Sequence, residues 1–154
     1  MEIAPPAGPR ISPPTQHMSR PLRVLIVEDH DPLRQILTEL MRERGLTAYP
    51  TEHSHEALEM ARRVELDIGL LDLHLPTGNG LDLFRTIARE IGPLPSIMMS
   101  GEATSSETDA ALDAGVFSFL RKPIAIQHLQ RSLDLLIERH FPNPPGSAPS
   151  APGS

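Results

Sequence analysis

Apolar positions along this chain alternate between two patterns. Short continuous runs, RVLIV (Arg23 to Val27), DIGLLD (Asp67 to Asp72), PSIMMS (Pro95 to Ser100) and VFSFL (Val116 to Leu120), have the length and composition of buried strands. A shorter strand is expected near Leu46 to Tyr49. The segments between them repeat with helical spacing. From about Asp31 to Arg44, residues Leu33, Ile36, Leu37, Leu40 and Met41 fall at i, i+3, i+4, i+7 and i+8, one face of a helix. Asp31 reads as its N-cap, Pro32 as its first helical position and Gly45 as its stop. A second helix is expected from about Ser54 to Val64. A third, from about Gly80 to Ile91, should bury Leu81, Phe84, Ile87 and Ala88. The fourth, Ser105 to Ala114, is weak, with mostly alanine on its apolar face and Gly115 after it. The last, Ala125 to Arg139, puts Ile126, Leu129, Leu133, Leu136 and Ile137 on one side and leaves Leu135 facing solvent. Five βα units in succession predict an α/β fold, a parallel sheet covered by helices on both faces.

Composition separates this middle from the ends. Residues 1–21 hold six of the 17 prolines, and residues 141–154 hold five more among Gly, Ser, Ala and Asn. Such segments bury too little apolar surface to offset chain entropy, so residues 1–21 and 140–154 are expected to be disordered tails flanking one domain at 22–139. The chain has no cysteine, and no apolar stretch of signal-peptide or transmembrane character, so a cytoplasmic protein without membrane insertion is expected. Residues 22–139 carry 12 Lys plus Arg against 19 Asp plus Glu, a net of −7. That sign argues against direct binding of nucleic acid or an anionic membrane.

The strand ends carry the chemistry. In an open α/β sheet, ligands bind where the strands finish. Strand one runs into Glu28-Asp29 and strand three into Asp72; strand four ends in the hydroxyl of Ser100, and Lys122 follows strand five. Adjacent carboxylates after a buried strand are costly unless something positive offsets them. Carboxylates, a hydroxyl and an ammonium converging on one crevice suit Mg²⁺ with a phosphoryl group, and an aspartate can itself be a nucleophile. Lys122 is the sole lysine among 14 basic residues, and it stands where a compact charge would meet phosphate.

On these residues the chain resembles the receiver domain of two-component response regulators over about residues 22–139. The matching features are Glu28-Asp29 after strand one, the run Asp72-Leu73-His74-Leu75-Pro76-Thr77-Gly78-Asn79-Gly80, which fits a D-x-x-[ML]-P-x-x-x-G loop, then Ser100-Gly101 and Lys122-Pro123. The resemblance implies a doubly wound, flavodoxin-like sheet of order 2-1-3-4-5. It implies that Asp72 accepts a phosphoryl group from the phosphohistidine of a histidine kinase or phosphotransfer protein. Glu28, Asp29, Asp72 and the backbone carbonyl of His74 would place Mg²⁺. Ser100 would move toward the phosphoryl oxygen and Phe119 would rotate inward behind it, reshaping a surface read by a downstream protein target. The Lys122–Pro123 bond would be cis. His74 and Glu102 would occupy positions that tune the lifetime of the phosphoryl group.

Plainer readings compete at several positions. Ser100 could cap the following helix, and Phe119 could be ordinary core. His53-Ser54-His55 has a metal-like spacing but lies at a helix start, away from the acids, and reads as solvated surface. A phosphatase of the haloacid dehalogenase type would want a carboxylate where His74 stands. A flavodoxin-like flavin carrier would meet repulsion from the acids after strand one. A protein-interaction module independent of phosphorylation would not need Asp72 and Lys122 together. The expected function is a single-domain response regulator, a phospho-acceptor and not an enzyme acting on other substrates. A phosphate shuttle or sink in a phosphorelay is the alternative.

Overall fold

The computed structural model describes residues 20–142. Strands β1 (Arg23–Val27), β2 (Thr47–Thr51), β3 (Ile68–Asp72), β4 (Ser96–Ser100) and β5 (Ser118–Arg121) form one sheet. Its order is β2-β1-β3-β4-β5, with every neighbouring pair parallel, as the resemblance implied. Helices α1 (Asp31–Glu43), α2 (Ser54–Arg63), α3 (Gly80–Glu90), α4 (Ser105–Asp113) and α5 (Ile126–His140) connect or follow the strands. Strand alternation splits the interior in two. Leu25, Val27, Leu71 and Met98 face α2, α3 and α4, against Ala57, Phe84, Ile87 and Ala111. Val24, Ile26, Leu70, Ile97 and Met99 face α1 and α5, against Leu37, Met41, Leu129, Leu133 and Leu136. Continuous apolar runs are required because both faces are covered.

Several details differ from the sequence expectation. His30, not Asp31, is the N-cap of α1, and Asp31 is its first helical residue. The buried face of α1 is turned toward Thr38: Leu37, Thr38 and Met41 are buried, whereas Ile36 is exposed. Burying Thr38 is tolerable because its hydroxyl donates to the carbonyl of Arg34 at 2.7 Å. Gly45 ends the turn after α1 with φ +81°, a backbone region that favours glycine. In α3, Leu83 is buried and Ala88 is exposed, so that helix too is rotated from the expected stripe. Ile126, at the first turn of α5, is also exposed, while Leu129, Leu133 and Leu136 are buried and Leu135 faces solvent.

β2 runs past Tyr49 through Pro50 to Thr51, which Pro50 permits because β2 is a sheet edge. β5 is assigned from Ser118, although Phe117 N–H already donates to Ser96 at 2.8 Å. An unanticipated two-residue hairpin, His74–Leu75 against Gly78–Asn79, folds the loop after β3. Apart from residues 20–21 and 140–142, the expected tails lie outside the described residues. Arg20 donates to Asp67 Oδ2 at 2.7 Å. No helix among the described residues is long and apolar enough to cross a membrane.

Candidate functional site

Two strand ends bring the acids together, and a third adds a lysine. β1 and β3 are hydrogen-bonded neighbours in parallel register, so Glu28-Asp29 and Asp72 leave the sheet side by side. Glu28 is fully buried at 0% exposure and Asp72 is 4% exposed, while Asp29 opens to solvent. One carboxylate oxygen from each lies within 4.8 Å of the others. β5, two strands from β3, ends at Arg121 and is followed directly by Lys122; the Lys122–Pro123 bond is cis. Its Nζ donates to Asp72 Oδ2 at 3.0 Å and stands 2.8 Å from Glu28 Oε1.

The two ends of the Asp72 carboxylate have different partners. Oδ2 accepts from Lys122, and Oδ1 accepts from the backbone N–H of His74 at 3.2 Å. Glu28 Oε2 accepts from the N–H of His30 at 3.1 Å. Glu28 Oε1 is buried without an aligned hydrogen bond, its contact with Lys122 being a close ion pair. Burial pushes the Glu28 carboxyl above its ordinary range, with Lys122 countering the rise and the charge of Asp72 adding to it. Burial would lower Lys122, but its bonds to Glu28 and Asp72 outweigh that and raise it. The set is a compact group of oxygen donors, one of them under-satisfied, with charge in excess of what one ammonium neutralises. It fits a hard divalent cation.

Loop geometry around Asp72 is fixed by backbone contacts. Gly80 N–H donates to the Leu73 carbonyl at 2.8 Å, and a Cβ at Gly80 would stand 2.1 Å from the Asp72 carbonyl oxygen. No side chain fits there. Asn79 then caps α3, its Oδ1 accepting from Leu81 N–H at 2.7 Å and Asp82 N–H at 3.2 Å.

Ser100 is fully buried, and its hydroxyl meets the Nδ1 of His74 at 3.1 Å. It does not cap α4; Thr104 does, accepting from Glu107 N–H at 3.1 Å. Phe119 is half-buried against the core on the α4 side of the sheet, beside Met98 in register. The His53 and His55 rings stack 5.5 Å apart and stand outside the Glu28–Asp29–Asp72 group, the sole metal-capable cluster among the described residues.

Two participants escaped the sequence reading. Arg34 on α1 donates to the Glu28 carbonyl at 2.9 Å, pairs with Asp31 and lies 3.9 Å from Glu52, tying the first acidic loop to the second. Helical position 34 gave no sign of this, beyond a basic residue one turn after the acids. Glu107 reaches His74 from 33 residues away, a contact that no local pattern encodes.

Comparison with known proteins places this geometry. The family model for the response regulator receiver domain matches residues 24–134. The chain is 35% identical over 117 residues to KdpE, the KDP operon transcriptional regulatory protein of Escherichia coli K12, covering 76% of this chain and 52% of KdpE. It is 29% identical over 125 residues to chemotaxis protein CheY-3 of Vibrio cholerae, covering 79% of this chain and 96% of CheY-3. It therefore spans about half the length of the first relative and nearly all of the second. Among solved structures, a response regulator receiver protein from Pseudomonas putida superposes with a TM-score of 0.71 at 29% identity, covering 76% of this chain and 98% of that one. The non-phosphorylated HemR receiver domain from Leptospira biflexa gives 0.71 at 26% identity, covering 84% and 99%. The family model spans most of the described residues, and a relative in that family is 35% identical: the chain belongs to the response regulator receiver domain family.

Proposed function

We propose that Asp72 accepts a phosphoryl group from the phosphohistidine of a histidine kinase or phosphotransfer protein, and that the chain signals by presenting a changed surface to a downstream protein. The observation that carries this is the setting of Asp72. It is a buried carboxylate held at one oxygen by an ammonium and at the other by a backbone N–H, beside two further acids. In the transfer, a carboxylate oxygen of Asp72 attacks phosphorus and the P–N bond breaks. The electron pair leaves on the imidazole nitrogen of the donor.

Glu28, Asp29, Asp72 and the His74 carbonyl would hold Mg²⁺, which supplies charge neutralisation of the acids and the phosphoryl oxygens. Lys122 sits within reach of the same oxygens and donates to one of them. Ser100 supplies a hydroxyl, and Phe119 packs against the core on the α4 side of the sheet. That helix is the natural mobile element: Ala111 is its buried residue, so little apolar area anchors it.

The test compares NMR spectra with and without beryllofluoride, a phosphoryl mimic, in millimolar Mg²⁺. Shifts should extend from Asp72 through Ser100 and Phe119 into residues 105–135. Shifts confined to the immediate neighbours of Asp72 would refute the surface-signalling reading.

A further inference from the structure

Ser100 has one hydroxyl hydrogen, and His74 Nδ1 stands within hydrogen-bond distance of its oxygen. Ser100 Oγ accepts from Glu102 N–H at 3.2 Å and lies 3.1 Å from His74 Nδ1. His74 Nε2 lies 3.1 Å from Glu107 Oε2. An ionised carboxylate only accepts, so Nε2–H faces Glu107, and in that tautomer Nδ1 offers its lone pair to Ser100. Ser100 is then the donor to Nδ1. The hydroxyl that a phosphoryl oxygen would need is committed elsewhere.

The chain of contacts continues into α4. Glu107 Oε1 accepts from Thr104 N–H at 3.0 Å, and Thr104 Oγ1 accepts from Glu107 N–H at 3.1 Å, a reciprocal capping box. Hydrogen bonds to Thr104 N–H and then to His74 hold the Glu107 carboxyl below the usual carboxylate range. One carboxylate thus serves both the helix start and the imidazole that engages Ser100. The acceptor loop, the end of β4 and the first turn of α4 are joined through two side chains, His74 and Glu107.

We propose that His74, braced by Glu107, is a positioning residue that withholds the Ser100 hydroxyl from the phosphoryl site, and that its displacement on phosphorylation loosens the first turn of α4. The proposal rests on Asp72 being the acceptor. A bond from Ser100 to a phosphoryl oxyanion is charge-assisted, roughly twice as strong as the neutral bond it replaces, so the exchange runs toward the phosphorylated form. The neutral bond is nevertheless lost, which weakens capture. Once Ser100 has gone, the imidazole loses one of its two partners, and its hold on Glu107 loosens with it.

The experiment measures beryllofluoride affinity in Mg²⁺ by calorimetry for wild type, His74→Ala, Ser100→Ala and the double variant. His74→Ala is first shown to be folded by circular dichroism. It should bind beryllofluoride about two- to tenfold more tightly, the span of one net hydrogen bond. That gain should vanish in the Ser100→Ala background. Glu107→Ala, which removes the brace but changes no residue of the acceptor loop, should give a smaller gain of the same sign. Amides of residues 104–108 in unliganded His74→Ala should shift toward their positions in beryllofluoride-bound wild type. Equal or weaker binding by His74→Ala, or a gain that survives without the Ser100 hydroxyl, overturns the proposal. If Asp72→Asn binds beryllofluoride as well as wild type does, the acceptor reading falls, and this proposal with it.

Discussion

Lys122→Met removes the ammonium and keeps a flexible apolar stem of similar reach. The lost charge stands 2.8 Å from Glu28 Oε1 and 3.0 Å from Asp72 Oδ2. At an effective dielectric constant near 20, each contact corresponds to about 5–6 kcal/mol of Coulomb attraction. Desolvation of the three ions consumes most of that, and removing one partner of a buried pair costs about 3–5 kcal/mol. The lysine side chain is 23% exposed, which favours the lower end, about 3 kcal/mol. For a domain of this size that is a fall of about 12 °C in melting temperature.

The pH dependence has a definite sign. Glu28 titrates above its ordinary value in the fold, so between the two values the folded state binds more protons than the unfolded chain. Stability therefore falls as pH rises through that window. Losing Lys122 removes the contact that holds Glu28 down and widens the window. Lys122 itself is raised, so its contribution is fully present below its unfolded value and is lost only as alkaline pH rises through its folded one. The assay is thermal melting of both proteins in chelator near neutral pH, near pH 5, and in millimolar Mg²⁺. The gap should be large in the first condition and narrow in the other two, since protons or metal replace the missing charge. Equal melting in chelator at neutral pH, or a gap indifferent to Mg²⁺, would refute the reasoning.

Asp29→Asn should melt at or above wild type in metal-free buffer, because it relieves repulsion within the acid group, and should lose most of the stabilisation that Mg²⁺ confers by mass action. A variant that melts clearly lower yet keeps the full Mg²⁺ response would contradict the clustering. Gly80→Ala should be destabilised by about 2–4 kcal/mol in urea unfolding, because the new methyl group meets backbone atoms of Asp72 that have nowhere to go. A near-neutral result would mean that the loop carrying Asp72 is not held by that contact.

Most of the fold was legible because strand length and helical spacing repeat five times, with glycine stops at Gly45 and Gly115, and because β1 and β3 must be buried on both faces. The site was legible for the same reason: a parallel sheet gathers its strand ends, so Glu28, Asp29, Asp72, Ser100 and Lys122 converge. What the pattern could not resolve is rotation by a fraction of a turn. Ile36 and Ala88 fit the expected stripes, yet the helices turn Thr38 and Leu83 inward instead, as tertiary packing decides which flank of a wide stripe meets the sheet. The hairpin inside the loop after β3 is too short to have a period. Contacts such as His74 with Glu107, or Arg34 with the Glu28 carbonyl, depend on side-chain reach between elements and exist only once the loops are placed.

The central claim is that Asp72 takes the phosphoryl group. The most direct measurement is intact-mass spectrometry of wild type and Asp72→Asn after incubation with acetyl phosphate and Mg²⁺. Wild type should gain one phosphoryl group that survives acid, is lost in base and requires Mg²⁺, while Asp72→Asn should gain none. Equal labelling of the two proteins, or labelling of wild type that is indifferent to chelator, would contradict the account.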